Sequence, residues 1–336
     1  MLSKIYEKIK IFIKENYKFI LSLIAIVFLL TYELPYVVYT PGGIVNLEKR
    51  ISVKNGYDSK GSINMSYVTL RKGNIPSILL SYVIKDWDLL KESEVTGSDE
   101  SVDDLLKLEK LYMTSSIDNA TILAYKKANK KINIKKNINN VIYVSENAKT
   151  DISLYDIILS VDGKDINNIK ELQDYIKTKN EGDIVYFKVI SNKKEVDRNA
   201  EVININGELK VGIAFLTTYE YETDPSITVK TKSSESGSSG GLMLSLAIYN
   251  AITKEDITKG KTIVGTGTID ILGNVGKIDG VKYKILGAGK NKADLFICPI
   301  DNYDEAMKVK KEHNLNINII SVETFDEAIN YLENNL

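Results

Sequence analysis

At 336 residues, 43% apolar, 26% charged and with a formal net charge of −1, the chain has the composition of an ordinary globular protein of two or three units. So even a charge balance gives no footprint for nucleic acid, and the single cysteine, Cys298, excludes an internal disulfide and a cysteine-based metal site. The single histidine, His313, sits among Lys310, Lys311, Glu312 and Asn314 as at an exposed helix end, so a histidine triad fits poorly; no metal or organic cofactor is expected.

In chain order, residues 1–18 carry five lysines against two glutamates, a net of +3. Phe19 to Tyr32 runs without charge, and beyond Glu33 the chain stays apolar to Tyr39. Fourteen helical residues span only about 21 Å, whereas counting from 19 to 39 is enough to cross a hydrocarbon layer of roughly 30 Å. Tyr17, Tyr32, Tyr36 and Tyr39 suit interfacial belts, and Glu33-Leu34-Pro35-Tyr36 is not a small-residue cleavage site. The expectation is a retained single-pass anchor at residues 19–39. It puts the basic segment 1–18 in the cytoplasm and the rest outside the cell membrane.

Within residues 40–135, β-type alternation dominates from Val45 to about Leu90, as in Ile63-Asn64-Met65-Ser66-Tyr67-Val68-Thr69-Leu70. Val102–Leu111 and Ser116–Ala128 read as two helices with lysine-rich faces, Ser115 and Ser116 as caps, and Lys130 to Asn140 as a polar break. Residues 136–210 form a second unit. Val141-Ile142-Tyr143-Val144 and Tyr155–Val161 are strand-like, Asp162-Gly163 is a tight-turn dipeptide, and Ile169, Leu172, Tyr175 and Ile176 share one helical face before the strand Ile184–Val189.

Residues 211–336 alternate strand and helix, an α/β pattern. Their distinctive stretch is Ser236-Gly237-Ser238-Ser239-Gly240-Gly241, opening into the apolar run Leu242–Ile252, which reads as a buried helix. Ser239 falls at the head of that helix, where free N–H groups and the helix dipole favour negative charge. Such a serine is either an N-cap or a nucleophile with oxyanion donors beside it. With histidine disfavoured, its base would be a lysine desolvated enough to lose its proton near neutral pH. In Val281-Lys282-Tyr283-Lys284-Ile285-Leu286-Gly287-Ala288, Lys284 borders the apolar face through Val281, Ile285 and Ala288. Lys282 lies about 160° away around the helix, toward water. Gly260-Lys261-Thr262 imitates a phosphate loop, but Glu255 stands where the first glycine is required and a strand follows, so no nucleotide site is read there.

Two resemblances follow from these residues. The order of strands around Asp156-Ile157-Ile158 and Val161-Asp162-Gly163, with the helix after them, resembles a PDZ domain of the bacterial protease type. That implies a carboxylate-binding loop near Asn140, Val141 and Ile142, although the expected glycine is missing there. Gly237-Ser238-Ser239-Gly240-Gly241, the block Gly267-Thr268-Ile269-Asp270-Ile271-Leu272-Gly273-Asn274-Val275-Gly276-Lys277-Ile278-Asp279-Gly280-Val281, and Lys284 resemble the Lon-type Ser-Lys peptidases. More narrowly, the whole order resembles the membrane-anchored PDZ–Lon peptidases that lack an ATPase module.

The resemblance implies an α+β and α/β multidomain chain, with an N-terminal transmembrane helix and a PDZ-like module set into a Lon-type proteolytic domain. It implies Ser239 as nucleophile, Lys284 as general base, Thr266 as the hydroxyl that steadies the lysine, and Ser238, Gly237 and Gly240 as supporting positions. Ser238 and Gly240 depart from the family's Pro and Ala, and Ser238 stands as an alternative nucleophile. The expected partners are a secreted or surface polypeptide substrate, the membrane and, by resemblance, a homo-oligomer. The rival expectation is an inactive, anchored peptide-binding scaffold.

Overall fold

The computed structural model describes residues 2–96, 102–233 and 235–336. The chain opens with α1 (Leu2–Thr31), followed by β1 (Glu33–Asn46), β2 (Ile51–Val53), β3 (Ser62–Asn74), α2 (Ile75–Ser81), β4 (Asp88–Lys91), α3 (Glu92–Thr96) and α4 (Val102–Lys127). A second group comprises β5 (Lys131–Val144), β6 (Ile157–Val161), β7 (Lys164–Asp165), α5 (Ile169–Ile176), β8 (Ile184–Ser191), β9 (Lys194–Glu201), β10 (Ile203–Ile205), β11 (Glu208–Lys210) and β12 (Ile213–Asp224). The last third holds β13 (Ile227–Val229), α6 (Gly241–Ile252), β14 (Thr262–Gly265), β15 (Thr268–Ile269), β16 (Val275–Gly276) and α7 (Val281–Lys290). After these come β17 (Leu295–Pro299), α8 (Tyr303–Glu312), β18 (Asn318–Val322) and α9 (Phe325–Asn335).

The expected membrane anchor is corrected here: no helix among the described residues is long and apolar enough to cross a membrane. Residues 33–39 were needed to lengthen the span, but they belong to β1, where Val37 and Val38 are 2% and 1% exposed. The charge-free part of α1, Phe19 to Thr31, then measures only about 20 Å, short of the hydrocarbon layer of roughly 30 Å. The single-pass topology, with its cytoplasmic segment 1–18 and external catalytic domain, falls with it.

The first sheet runs β18-β17-β14-β3-β1-β4, parallel from β18 to β3 and antiparallel through β1 to β4. Sequence alternation decides which core each strand feeds. Leu295 and Ile297 of β17 face α6 and α9, while Phe296 and Cys298 face α7 and α8; Ile263 and Val264 of β14 divide the same way. The run Leu295-Phe296-Ile297-Cys298 is apolar throughout because both its faces are covered, which makes Cys298 a packing residue, its thiol pushed up to about 12 by burial.

The second sheet, β12-β5-β6-β8-β9 with β7 on β6, has its own core of Val141, Ile158, Leu172, Ile176, Phe187 and neighbours. Asp162 (φ 47°) and Gly163 (φ 76°) both take the left-handed conformation that a two-residue hairpin demands, joining β6 to β7. Long antiparallel strands β5 and β12 lead into and out of this unit, paired from Lys131–Asp224 to Val144–Ile213. The polar stretch 131–140 is therefore strand rather than a break.

The two expected helices around Ser115 are one, α4, and its central serines are not caps. Serine inside a helix usually competes for the helix's own carbonyls. Here Ser115 donates to Thr217 O (2.9 Å) and Ser116 to Ser238 O (3.2 Å), both outside the helix, so α4 runs on through them.

Candidate active site

Helix α6 is apolar on every side, with Leu242, Met243, Leu244 and Leu246 fully buried, and this fixes the loop before it. Its N-cap is Gly240, without any side-chain cap bond, so Ser239 precedes the cap and its hydroxyl is not consumed in capping. The backbone of Ser239 is instead held from β14 onward. Its carbonyl accepts from Thr266 Oγ1 (2.9 Å) and Gly267 N (2.8 Å), and Leu242 N donates to Gly267 O (3.1 Å). Among the described residues, the N–H groups of Ser239 and Gly240 have no acceptor, which leaves two donors beside the serine at a helix N-terminus.

Lys284 comes to the same place from α7. It is only 4% exposed, and its Nζ donates to Thr266 Oγ1 at 3.2 Å. The order of contacts is therefore Lys284 to Thr266 to the Ser239 backbone. Burial lowers the Lys284 pKa to about 8, opposed by the nearby carboxylates of Asp279 and Glu109. Burial likewise raises the carboxyl of Glu109 above the ordinary range, an effect moderated by the Lys284 charge. Lys282 behaves as the helical period requires, forming a surface ion pair with Asp88 (2.7 Å).

The glycines earn their places sterically. Gly237 (φ 90°) donates its N–H to Glu109 O at 2.9 Å, and a Cβ there would lie 2.9 Å from the Glu109 carboxylate. At Gly240, where the resembled family has Ala, a Cβ would come within 2.8 Å of Met65 Sδ; Met65 fills the space an Ala methyl would take. Ser238 directs its carbonyl to Gly241 N (3.1 Å) and Ser116 Oγ (3.2 Å).

A cleft of about 690 Å³ opens on this loop. Gly237, Ser239 and Gly240 line it together with Met65, Tyr67, Arg50 and Lys232, and Ser238 is not among the residues on its wall. That difference favours Ser239 over its neighbour as the residue a substrate would meet. Arg50 braces the rim: its guanidinium pairs with Glu235, and its carbonyl accepts from Lys230 N at 2.8 Å. Nothing in the sequence pattern distinguished Arg50, Glu109 or Met65, because each is local to a different element and only the fold brings them together.

Other expected residues lie elsewhere. Asn140, Val141 and Ile142 are the interior of β5, paired on one side with β12 and joined to β6 on the other through Asn139 and Asn140, so the expected carboxylate-binding loop is strand. Among the described residues β12 ends the strand order of this sheet, with α5 packed against it. His313 caps α8 and sits 3.3 Å from Asp86, away from the cleft wall. Gly260-Lys261-Thr262 turns directly into β14 rather than opening a helix.

Residues 229–334 match the model of the Lon protease (S16) C-terminal proteolytic domain, and residues 135–202 match the PDZ domain model. The chain thus carries a Lon-type proteolytic domain and a PDZ domain. Among curated proteins it is 31% identical over 96 residues to the Lon protease of Campylobacter jejuni, covering 28% of this chain and 12% of that protein. It is 32% identical over 96 residues to the Lon protease of Metamycoplasma arthritidis, covering 29% of this chain and 11% of that one. The matched stretch thus spans about an eighth of the length of these relatives. Among solved structures, the PDZ domain of an SdrC-like protein from Listeria innocua is 26% identical over 23% of this chain and 92% of its own, at a TM-score of 0.22.

Proposed function

We propose that the chain is a serine endopeptidase in which Ser239 is the nucleophile and Lys284 the general base, acting on polypeptides without a nucleotide. The observation that carries this reading is a single one: a buried amine, its pKa lowered to about 8, hydrogen-bonded to the hydroxyl that holds the backbone of a serine on the cleft wall.

Neutral Lys284 takes the Ser239 hydroxyl proton as Oγ attacks the scissile carbonyl. The N–H groups of Ser239 and Gly240 hold the oxyanion as it forms. Collapse of the tetrahedral intermediate breaks the C–N bond, and the ammonium of Lys284 returns the proton to the leaving amine. Water, deprotonated by the same lysine, then hydrolyses the acyl-enzyme and restores both groups. Thr266 keeps one of the amine's hydrogens engaged, so that its lone pair stays aimed in one direction. Turnover independent of nucleotide is supported by Gly260-Lys261-Thr262 lacking the loop-to-helix geometry that cradles phosphates. The end of β12 at Ile213–Leu216, the last strand of its sheet and beside α5, is the place where an extended polypeptide would add as a strand and be held for the cleft.

The test is cleavage of casein or of an unstructured peptide by the full chain, compared with Ser239→Ala and Lys284→Ala. Turnover in the parent and its loss in both variants supports the reading. Equal, undetectable turnover in all three overturns it in favour of a peptide-binding scaffold.

A further inference from the structure

Helix α4 grips two different parts of the molecule with neighbouring side chains. Ser116 Oγ donates to Ser238 O (3.2 Å), and the same helix receives Gly237 N at Glu109 O (2.9 Å). Gly241 is packed so closely on it that a Cβ there would lie 2.7 Å from Ser116 Oγ. One residue earlier, Ser115 Oγ donates to Thr217 O (2.9 Å), and Asp118 accepts from Tyr219 N (2.9 Å), both on β12. Residues 217 and 219 alternate along β12, so both turn their backbone groups to the edge facing away from β5. That edge continues toward Ile213, where among the described residues β12 has no further strand beside it. Consecutive helix residues differ by about 100° in direction and about 1.5 Å in height, so one rigid helix holds both partners at nearly one level. Ser115, Ser116 and Asp118 are all buried, and a buried hydroxyl or carboxylate that loses its partner is costly, so neither grip is released freely.

We propose that α4 couples β12 to the nucleophile loop, with Ser116 a positioning residue for the loop and Ser115 the tie that makes the loop answer to what β12 does. A strand added at the edge near Ile213–Leu216 would adjoin the stretch that Ser115 and Asp118 hold, and any shift of that stretch reaches Ser238 through the helix. This rests on the peptidase reading only in giving the loop a catalytic purpose; the mechanical coupling stands on the contacts themselves.

The experiment is hydrogen exchange on the full chain, read on peptides covering residues 236–241 and 213–219. Three variants are compared with the parent: Ser115→Ala, Ser116→Ala and Thr114→Ala, the last losing only a bond to its own helix, at Lys110 O. Ser115→Ala is expected to speed exchange in the loop about fivefold and Ser116→Ala to do the same in β12, the reciprocity that coupling requires. Thr114→Ala should change neither. Amides of α4 itself should be unaffected, since Ala is the better helix former. Variants that each loosen only the side they touch, or that fray α4, overturn the proposal. In parallel, Ser115→Ala should lower kcat on a short peptide while leaving KM unchanged. Reciprocal exchange in a chain whose parent shows no turnover would keep the coupling and discard the peptidase reading.

Discussion

The PDZ domain and the proteolytic domain of this chain treat lysine in opposite ways. On α5, in the PDZ domain, Lys170 lies in water and pairs with Asp174 one turn on, and that bond raises its pKa above the ordinary value. On α7, Lys284 is enclosed, and burial lowers its pKa to about 8. Buried polar groups in the PDZ core serve the backbone: Asn139 Nδ2 donates to Ile166 O, and Asp156 accepts from Ser153 N. In the proteolytic part three such groups, Thr266, Ser116 and Lys284, bear on residues 238–239 directly or through one another. Burying an amine costs stability, and groups whose pKa is shifted in this way cluster at functional sites.

The comparison breaks first if its central serine is dispensable. Ser239→Ala and Lys284→Ala should each lower turnover at least about a thousandfold, with the double variant no worse than either, as expected for groups acting as a unit. Circular dichroism should show both folded. Thr266→Val removes the hydroxyl that accepts from Lys284 Nζ and donates to the Ser239 carbonyl while keeping the shape, and leaves that carbonyl its bond from Gly267 N. A loss of about ten- to a hundredfold in kcat is expected, with little change in KM, read from steady-state kinetics.

The contrast also has a stability side. A lysine whose pKa is about 8 folded and 10.5 unfolded binds fewer protons when folded, so stability should rise with pH between those values and be lowest below 8. Lys284→Met should flatten that rise and stabilise the chain at pH 7 by up to about 3 kcal/mol, measured by urea unfolding at several pH values. Gly241→Ala, which drives a methyl against Ser116 and Ile269, should destabilise by about 1–3 kcal/mol. Lys170→Ala on α5 should leave the urea midpoint essentially unchanged, because that ion pair lies in water.

What the sequence made legible was periodic or local. The apolar run after Gly241 reads as a buried helix, and the helical period separates Lys284 from Lys282. Asp162-Gly163 names its turn from two residues alone. The errors came where a stretch could serve two environments. Residues 33–39 are apolar enough for lipid, yet Val37 and Val38 spend that character on a sheet interior between β3 and β4. The polar residues 131–140 are strand because their pairing with β12 requires backbone rather than apolar side chains. Ser115 and Ser116 signal a break only if their hydroxyls lack partners outside the helix, which no spacing can reveal. Asn140, Val141 and Ile142, where the resembled motif has a glycine, lie within a strand that continues through them.

The most direct test of the account is the pH dependence of kcat/KM for cleavage of an unstructured peptide by the full chain. A neutral Lys284 as base predicts activity that climbs through a midpoint of about 8 and disappears in Lys284→Ala. A midpoint near about 6.5, the range of an ordinary histidine, or a profile left intact by Lys284→Ala, would contradict it.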